Sequence, residues 1–196
     1  QKRRGRIRHL GFSCHGNLPV LKRFLDAYGK DMEFCQLQLN YIDWTFQNGR
    51  EKVELLDSWH IPVWVMEPLR GGRLARLSDE EAAPLRAMRP EEPIPAWAFR
   101  FLQSIPSVTM ILSGMSDLEQ VKANIATFQM GVPPSSREMG RLLAQAQRMV
   151  SKTALPCTAC HYCVSHCPQG LDIPSLLALY NEHAITGGGF LAPMAL

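Results

Sequence analysis

The chain has 196 residues, enough for one sizeable domain and a small appendage, and 46% hydrophobic with 20% charged residues excludes a disordered chain. A net charge of +3 gives no basis for nucleic-acid binding, and no stretch is long and apolar enough to span a bilayer.

The opening Gln1-Lys-Arg-Arg-Gly-Arg-Ile-Arg is basic, but no apolar run follows, so it is not read as a signal peptide. Lys2–Arg4 followed by Gly5 reads as a last helical turn with its glycine cap, as if the chain began inside a larger protein. Ile7–Ser13 is a short strand candidate. Pro19–Tyr28 has Leu21, Phe24 and Leu25 at helical spacing, and Gly29 is expected to end it. Phe34–Asn40 is a second strand, Glu51–Ser58 a helix, and Ile61–Pro68 an apolar third strand leaving through a turn at Leu69–Gly72. Residues 78–93 are polar and Pro-bearing, which predicts a helical turn and loop. Pro95–Gln103 is a helix with Pro in its first turn, and Val108–Leu112 is a fourth strand leading to Ser113-Gly114. Ser116 or Asp117 caps a helix over Leu118–Met130, whose inner face is expected to carry Val121, Ile125 and Phe128. Met110, Met130 and Met149 read as core filling, and Cys14 and Cys35 as buried core thiols.

Strand and helix alternate four times, the signature of βαβ units and a parallel sheet. Four units make half of a (β/α)8 barrel or a small doubly wound sheet. After the break at Pro133–Ser136, Arg137–Val150 is amphipathic, with Met139, Leu142, Leu143, Ala146 and Met149 facing inward. Ile173–His183 is a final helix whose apolar set includes Leu176, Leu177, Leu179 and Tyr180, and Gly187–Gly189 opens a tail.

Between those two helices stands Cys157-Thr-Ala-Cys160-His-Tyr-Cys163-Val-Ser-His-Cys167-Pro168. The C-x2-C-x2-C-x3-C-P spacing is that of a ferredoxin-type holder for an iron–sulfur cluster, because thiolates are soft ligands and two-residue gaps curl three sulfurs around one cubane face. Cys157, Cys160, Cys163 and Cys167 are therefore the expected ligands of a [4Fe–4S] cluster. Either Cys167 closes the same cluster or another ligand is recruited. The rivals are a zinc shell joined by His161 or His166, and disulfides. Four of the six cysteines in one metal motif point to a reducing cytoplasm.

Four stretches carry a further resemblance. Ile7–Ser13, Phe34–Asn40, Ile61–Leu69 and Ile111–Ser116 with Asn124 resemble the fifth to eighth strands of the aldo-keto reductases, in order and spacing. The cysteine tail resembles that of a bacterial branch of the family with a C-terminal 4Fe–4S ferredoxin-type segment. The resemblance implies a TIM barrel binding NADP or NAD at the C-terminal ends of its strands. Ser13 and Gln36 match residues that hold the nicotinamide carboxamide, although Cys14 and His15 stand where the family usually has Asn after that serine. Met66 falls where many members stack an aromatic ring. Glu67, Leu69, Gly71 and Gly72 match the segment under the pyrophosphate, where free N–H groups are expected to face the anion. Gly114 and Ser116 match the loop before the helix at the adenosine-phosphate end, and Gln120 and Asn124 match an arginine and an asparagine beside the adenine. The family's catalytic tyrosine, lysine, aspartate and histidine belong to the first half of the barrel, and none is matched here. His15, Asp43 and Trp44 follow strands, where they either line a substrate mouth or serve locally.

The expectation is thus an α/β chain: the C-terminal half of a TIM barrel over residues 1–133, then a linker helix and small α-helical iron–sulfur segment over 134–196. Its activity would be nicotinamide-dependent interconversion of a carbonyl and an alcohol, completed by the missing N-terminal half of the barrel, with a redox partner protein as a further expected partner. The other reading is a non-catalytic iron–sulfur electron-transfer or interaction module on a barrel scaffold.

Overall fold

The structure, a computed structural model, describes residues 1–153, 155 and 162–186. Strands β1 (Gly11–Cys14), β2 (Phe34–Gln38), β3 (Val63–Met66) and β4 (Val108–Ile111) form one parallel sheet in the order β1-β2-β3-β4. Strand order follows chain order without reversal, so the arrangement is that of consecutive barrel strands and not of a doubly wound sheet. Helices α1 (Leu18–Tyr28), α2 (Asp43–Phe46), α3 (Gly49–Ser58), α4 (Asp79–Arg86), α5 (Ile94–Gln103) and α6 (Leu118–Met130) lie between and after the strands. Three more follow: α7 (Ser136–Thr153), α8 (Tyr162–Ser165) and α9 (Ile173–Thr186).

The two sheet faces differ. Phe12 packs against the core, and Cys14, Cys35, Leu37, Val63 and Val65 are buried in it. Burial pushes the Cys35 thiol well above its usual range, with Cys14 adding to the effect. Ser13, in register with Gln36, and Gln36, in register with Trp64, alternate with these residues and so occupy the opposite, inner face. Phe34 and Trp64 stack there with ring centroids 3.9 Å apart. The inner face is thus mixed, with Ser13, Gln36 and Gln38 beside the Phe34–Trp64 stack.

Helix α5 is the hub. Ala96–Leu102 are all buried, Trp97 and Phe99 fully, and the buried Arg100 is neutralised by Glu92 at 2.8 Å while donating to the Val132 carbonyl at 2.8 Å. Helix α7 docks through Leu142, Ala146 and Met149, as its periodicity predicts. Its start is a capping box, in which the Ser135 N–H donates to Glu138 at 2.8 Å and Glu138 N–H donates to Ser135 Oγ at 3.3 Å. Arg89 clasps the same carboxylate at 2.6 and 2.9 Å and, with the cap, holds it at about 2, far below the usual carboxylate range.

Several expectations are corrected. The first strand is Gly11–Cys14, not Ile7–Ser13: Arg6–Leu10 is drawn aside as Lys2 and His9 converge on Glu33. Gly29 keeps right-handed dihedrals and runs on into a 3₁₀ turn at Gly29–Asp31. Within 78–93 a two-turn helix forms despite Pro84, because Ser78 and Glu81 make a reciprocal capping box. The expected inner face of α6 is open: Ile125 is 50% and Phe128 41% exposed, and Met110 and Met130 are exposed too, since β4 has no further strand beside it among the described residues. Leu176 and Tyr180 of α9 are exposed, because that helix docks through Pro174 and Asn181 instead. Cys157, Cys160 and the Gly187–Gly189 tail lie outside the described residues.

Candidate functional site

The loops leaving β3 and β4 sit at the C-terminal ends of neighbouring strands, where barrels gather their chemistry. After Met66 the chain turns sharply: Glu67 (φ +57°), Arg70 (+48°), Gly71 (+62°) and Gly72 (+84°) are all left-handed. Only the glycines adopt this at little cost. Glu67 and Arg70 are kept there by their partners. The Glu67 carbonyl accepts from Asn40 Nδ2 at 3.1 Å and from the Arg70 N–H at 3.0 Å. The Arg70 side chain is buried, its Nε donating to Asp43 Oδ1 at 3.1 Å and its guanidinium lying 5.7 Å from the Phe46 ring centre.

Two adjoining clefts open over this turn. The larger, about 580 Å³, runs from Leu69, Gly71 and Gly72 past Arg73 and Arg76 to Gly114, Ser116, Gln120 and Asn124. The smaller, about 420 Å³, shares the glycine turn and Gly114 and reaches Met66 and Glu67. Nine of the eleven residues matched to dinucleotide contacts in the sequence thus line one continuous groove. Ser13 and Gln36 do not line it and belong to the inner sheet face beyond.

The donors inside are partly committed. The Gly71 N–H donates to the Glu67 carboxylate, whereas the Gly72 N–H has no partner among the described residues. Asp117 caps α6 by accepting from the Gln120 N–H at 2.8 Å, and the Gln120 amide is spent on Asp117 and on the Ser116 N–H. Asn124 Nδ2 donates to Ser113 Oγ at 3.4 Å. Arg73 pairs with Glu81, while Arg76 stands exposed at the cleft with no ion pair among the described residues. A long groove with a glycine-rich floor, a free N–H and a cation on its wall fits an extended anionic ligand such as a dinucleotide.

Asp43 does not line an open mouth: it is fully buried, accepting from Gln38 Nε2 at 3.0 Å and Asn40 Nδ2 at 2.7 Å as well as from Arg70. Trp44 packs edge-on against Phe101, and His15 is exposed. The network of Gln38, Asn40, Asp43 and Arg70 escaped the sequence reading. Its one local signal was Asn40-x-x-Asp43, where the Asn40 side chain accepts from the N–H groups of Ile42 and Asp43 at 3.0 and 2.9 Å.

Of the cysteine motif, Cys163 lies on α8 and Cys167 just after it, both free and partly exposed. Backbone N–H groups of Leu171, Gln169 and Gly170 point at the Cys167 sulfur and lower its pKa, an environment suited to a thiolate ligand. Among the described residues no group of three or more His, Cys, Asp or Glu side chains is arranged to hold a metal; Cys157 and Cys160 are not among them.

No protein-family model matches the chain, and no curated protein matches it in sequence. Among solved structures it resembles the holo form of the aldo-keto reductase AKR11C1 from Bacillus halodurans, with a TM-score of 0.60 and 22% identity over 74% of this chain and 52% of that one. The apo form of the same enzyme gives 0.57 and 22% over 74% and 53%. A thermostable aldo-keto reductase, Tm1743, solved with the inhibitor epalrestat, gives 0.60 and 19% over 74% and 50%. The chain spans about half the length of these structures. The likeness is one of fold: four βα units with a parallel sheet resembling part of an aldo-keto reductase TIM barrel.

Proposed function

We propose that this chain is the dinucleotide-holding half of an oxidoreductase of the aldo-keto reductase type, acting on a small carbonyl or alcohol. The observation that carries the reading is the continuous groove along Met66–Gly72 and Gly114–Asn124, at the strand ends where a barrel of this kind keeps its nicotinamide. Bound NADP or NAD would supply or accept a hydride at the substrate carbon. Gly72 would meet the pyrophosphate through its backbone, Arg76 would offset phosphate charge, and Asn124 and Gln120 would flank the adenosine end. Ser13 and Gln36, on the inner face, would hold the carboxamide, Met66 would pack the nicotinamide side, and Leu69 would lie with the glycine turn under the pyrophosphate. The acid–base groups would come from the missing N-terminal half of the barrel.

Cys157, Cys160, Cys163 and Cys167 would hold a [4Fe–4S] cluster that moves single electrons, to a redox partner protein, or staples the tail. The Cys167 surroundings support thiolate ligation. The rival, a non-catalytic iron–sulfur module, keeps the cluster but not the dinucleotide. No described helix is long and apolar enough to cross a membrane, and a reducing cytoplasm suits the thiols.

Gly114 provides the test. It lines both clefts, has no positive φ, and a Cβ added there meets nothing within 4 Å. Gly114→Val in anaerobically prepared protein is expected to weaken NADPH or NADH binding at least about tenfold, or about 1.4 kcal/mol, with unchanged melting. Equal affinity in the two proteins, or no binding by the parent, overturns the dinucleotide reading. Iron near about four per chain separates the cluster from zinc and from disulfides.

A further inference from the structure

The tail helix α9 reaches the glycine turn through one side chain. Arg70 Nη2 donates to Glu182 Oε2 at 2.7 Å, and Gln47 Nε2 donates to the same oxygen at 3.2 Å. Arg70 is the residue immediately before Gly71 and Gly72, its side chain only 1% exposed, and Asp43 holds it from the barrel side. A left-handed, non-glycine residue persists only where its surroundings fix it. Two carboxylates, one from each side, fix this one. The neighbouring residue, Asn181, is 92% buried and binds both backbone groups of Leu155: it accepts from the N–H at 2.6 Å and donates to the carbonyl at 2.8 Å. Leu155 stands two residues before Cys157. One turn of α9 thus grips the entry to the cysteine motif and the turn under the groove.

We propose that Glu182 is a positioning residue: through Arg70 it sets the conformation of the Gly71–Gly72 turn, and so the affinity of the groove for a diphosphate-bearing dinucleotide. The proposal rests on the dinucleotide reading above. Without Glu182 a buried guanidinium loses one of its two carboxylates. Its Nη1 already lacks a hydrogen bond, so losing Glu182 takes the partner of a second nitrogen of the same buried group. The least costly relief is for Arg70 to leave its left-handed conformation, which displaces the Gly71–Gly72 turn that lines the groove.

The test compares the whole chain with Glu182→Ala and Glu182→Gln, by hydrogen exchange over residues 67–76 and 173–186 and by titration with NADPH. Glu182→Ala is expected to speed exchange over 67–76 while α9 stays protected, and to weaken NADPH binding about five- to tenfold. Glu182→Gln, which still offers Arg70 an oxygen, is expected to recover part of both effects. Recovery of this kind would not follow from a loss of general stability. Unchanged exchange over 67–76 overturns the proposal, as does faster exchange with NADPH affinity intact. Should Glu182→Ala lose α9 protection altogether, Glu182→Gln decides by the same criteria. If the parent chain binds no dinucleotide, the reading of the preceding section fails, and the exchange response over 67–76 decides by itself whether Glu182 sets the turn.

Discussion

Glu67 competes with any phosphate that enters the groove for the Gly71 N–H. The carboxylate accepts the Gly71 N–H, occupying a donor that an anion would use and adding a negative charge beside it. Glu67→Gln removes the charge and keeps an acceptor. It is expected to tighten inorganic pyrophosphate and NADPH binding by about five- to tenfold, since a unit charge a few ångströms away is worth on the order of 1 kcal/mol or more near a protein surface. Titration calorimetry checks it, and weaker binding by Glu67→Gln would mean that the carboxylate serves the ligand. The glycines at 71, 72 and 114 stand out in the sequence through the resemblance to the aldo-keto reductases, and the groove they line was not legible from the glycines alone. The Arg70 ion pairs were not legible: Asp43 and Glu182 lie 27 and 112 positions away, and nothing local marks an arginine as buried.

Among the elements, α7 is seated through a titrating group. Glu138 joins its own capping box to Arg89, and Arg89 also reaches the Val132 and Pro133 carbonyls at 3.4 and 3.2 Å. In the unfolded chain this carboxyl has a pKa near 4.3; in the folded chain it is held at about 2, chiefly by Arg89. A depressed folded pKa contributes stability that is present above the unfolded value and lost as pH falls through the folded one. Acid is therefore expected to loosen α7 between about pH 4.3 and pH 2, followed by far-UV dichroism, and Glu138→Gln to flatten that part of the profile. An identical profile in the variant would place the acid sensitivity elsewhere. Helices with strong caps or a strong apolar stripe, α7 above all, were readable from sequence. Helix α4 was not, because Pro84 read as a breaker while Ser78 and Glu81 outweighed it. The outward faces of α6 and α9 misled for another reason: periodicity marks which face is apolar but cannot say whether anything covers it.

At the scale of the whole molecule the sheet has two open edges among the described residues, at β1 and β4. Beside β4, Met110, Leu112, Met115, Ile125 and Phe128 are all more than 40% exposed, an apolar strip continuous from strand to helix. Such an edge promotes association. The isolated chain is expected to scatter light as a species heavier than one chain at micromolar concentration, and Met110→Lys with Phe128→Glu to shift it toward monomer. A monomeric parent would contradict this. The strand order has a consequence for how the molecule is made. Among the described residues each strand hydrogen-bonds only to strands adjacent in sequence, so β2, β3 and β4 each meet a partner already in place behind them. Parallel pairings of this kind close long stretches of chain and form slowly, but each can form in the direction of synthesis. Within this stretch the strands join in chain order, and β4, the last of the four to be synthesised, is the one whose edge is left apolar.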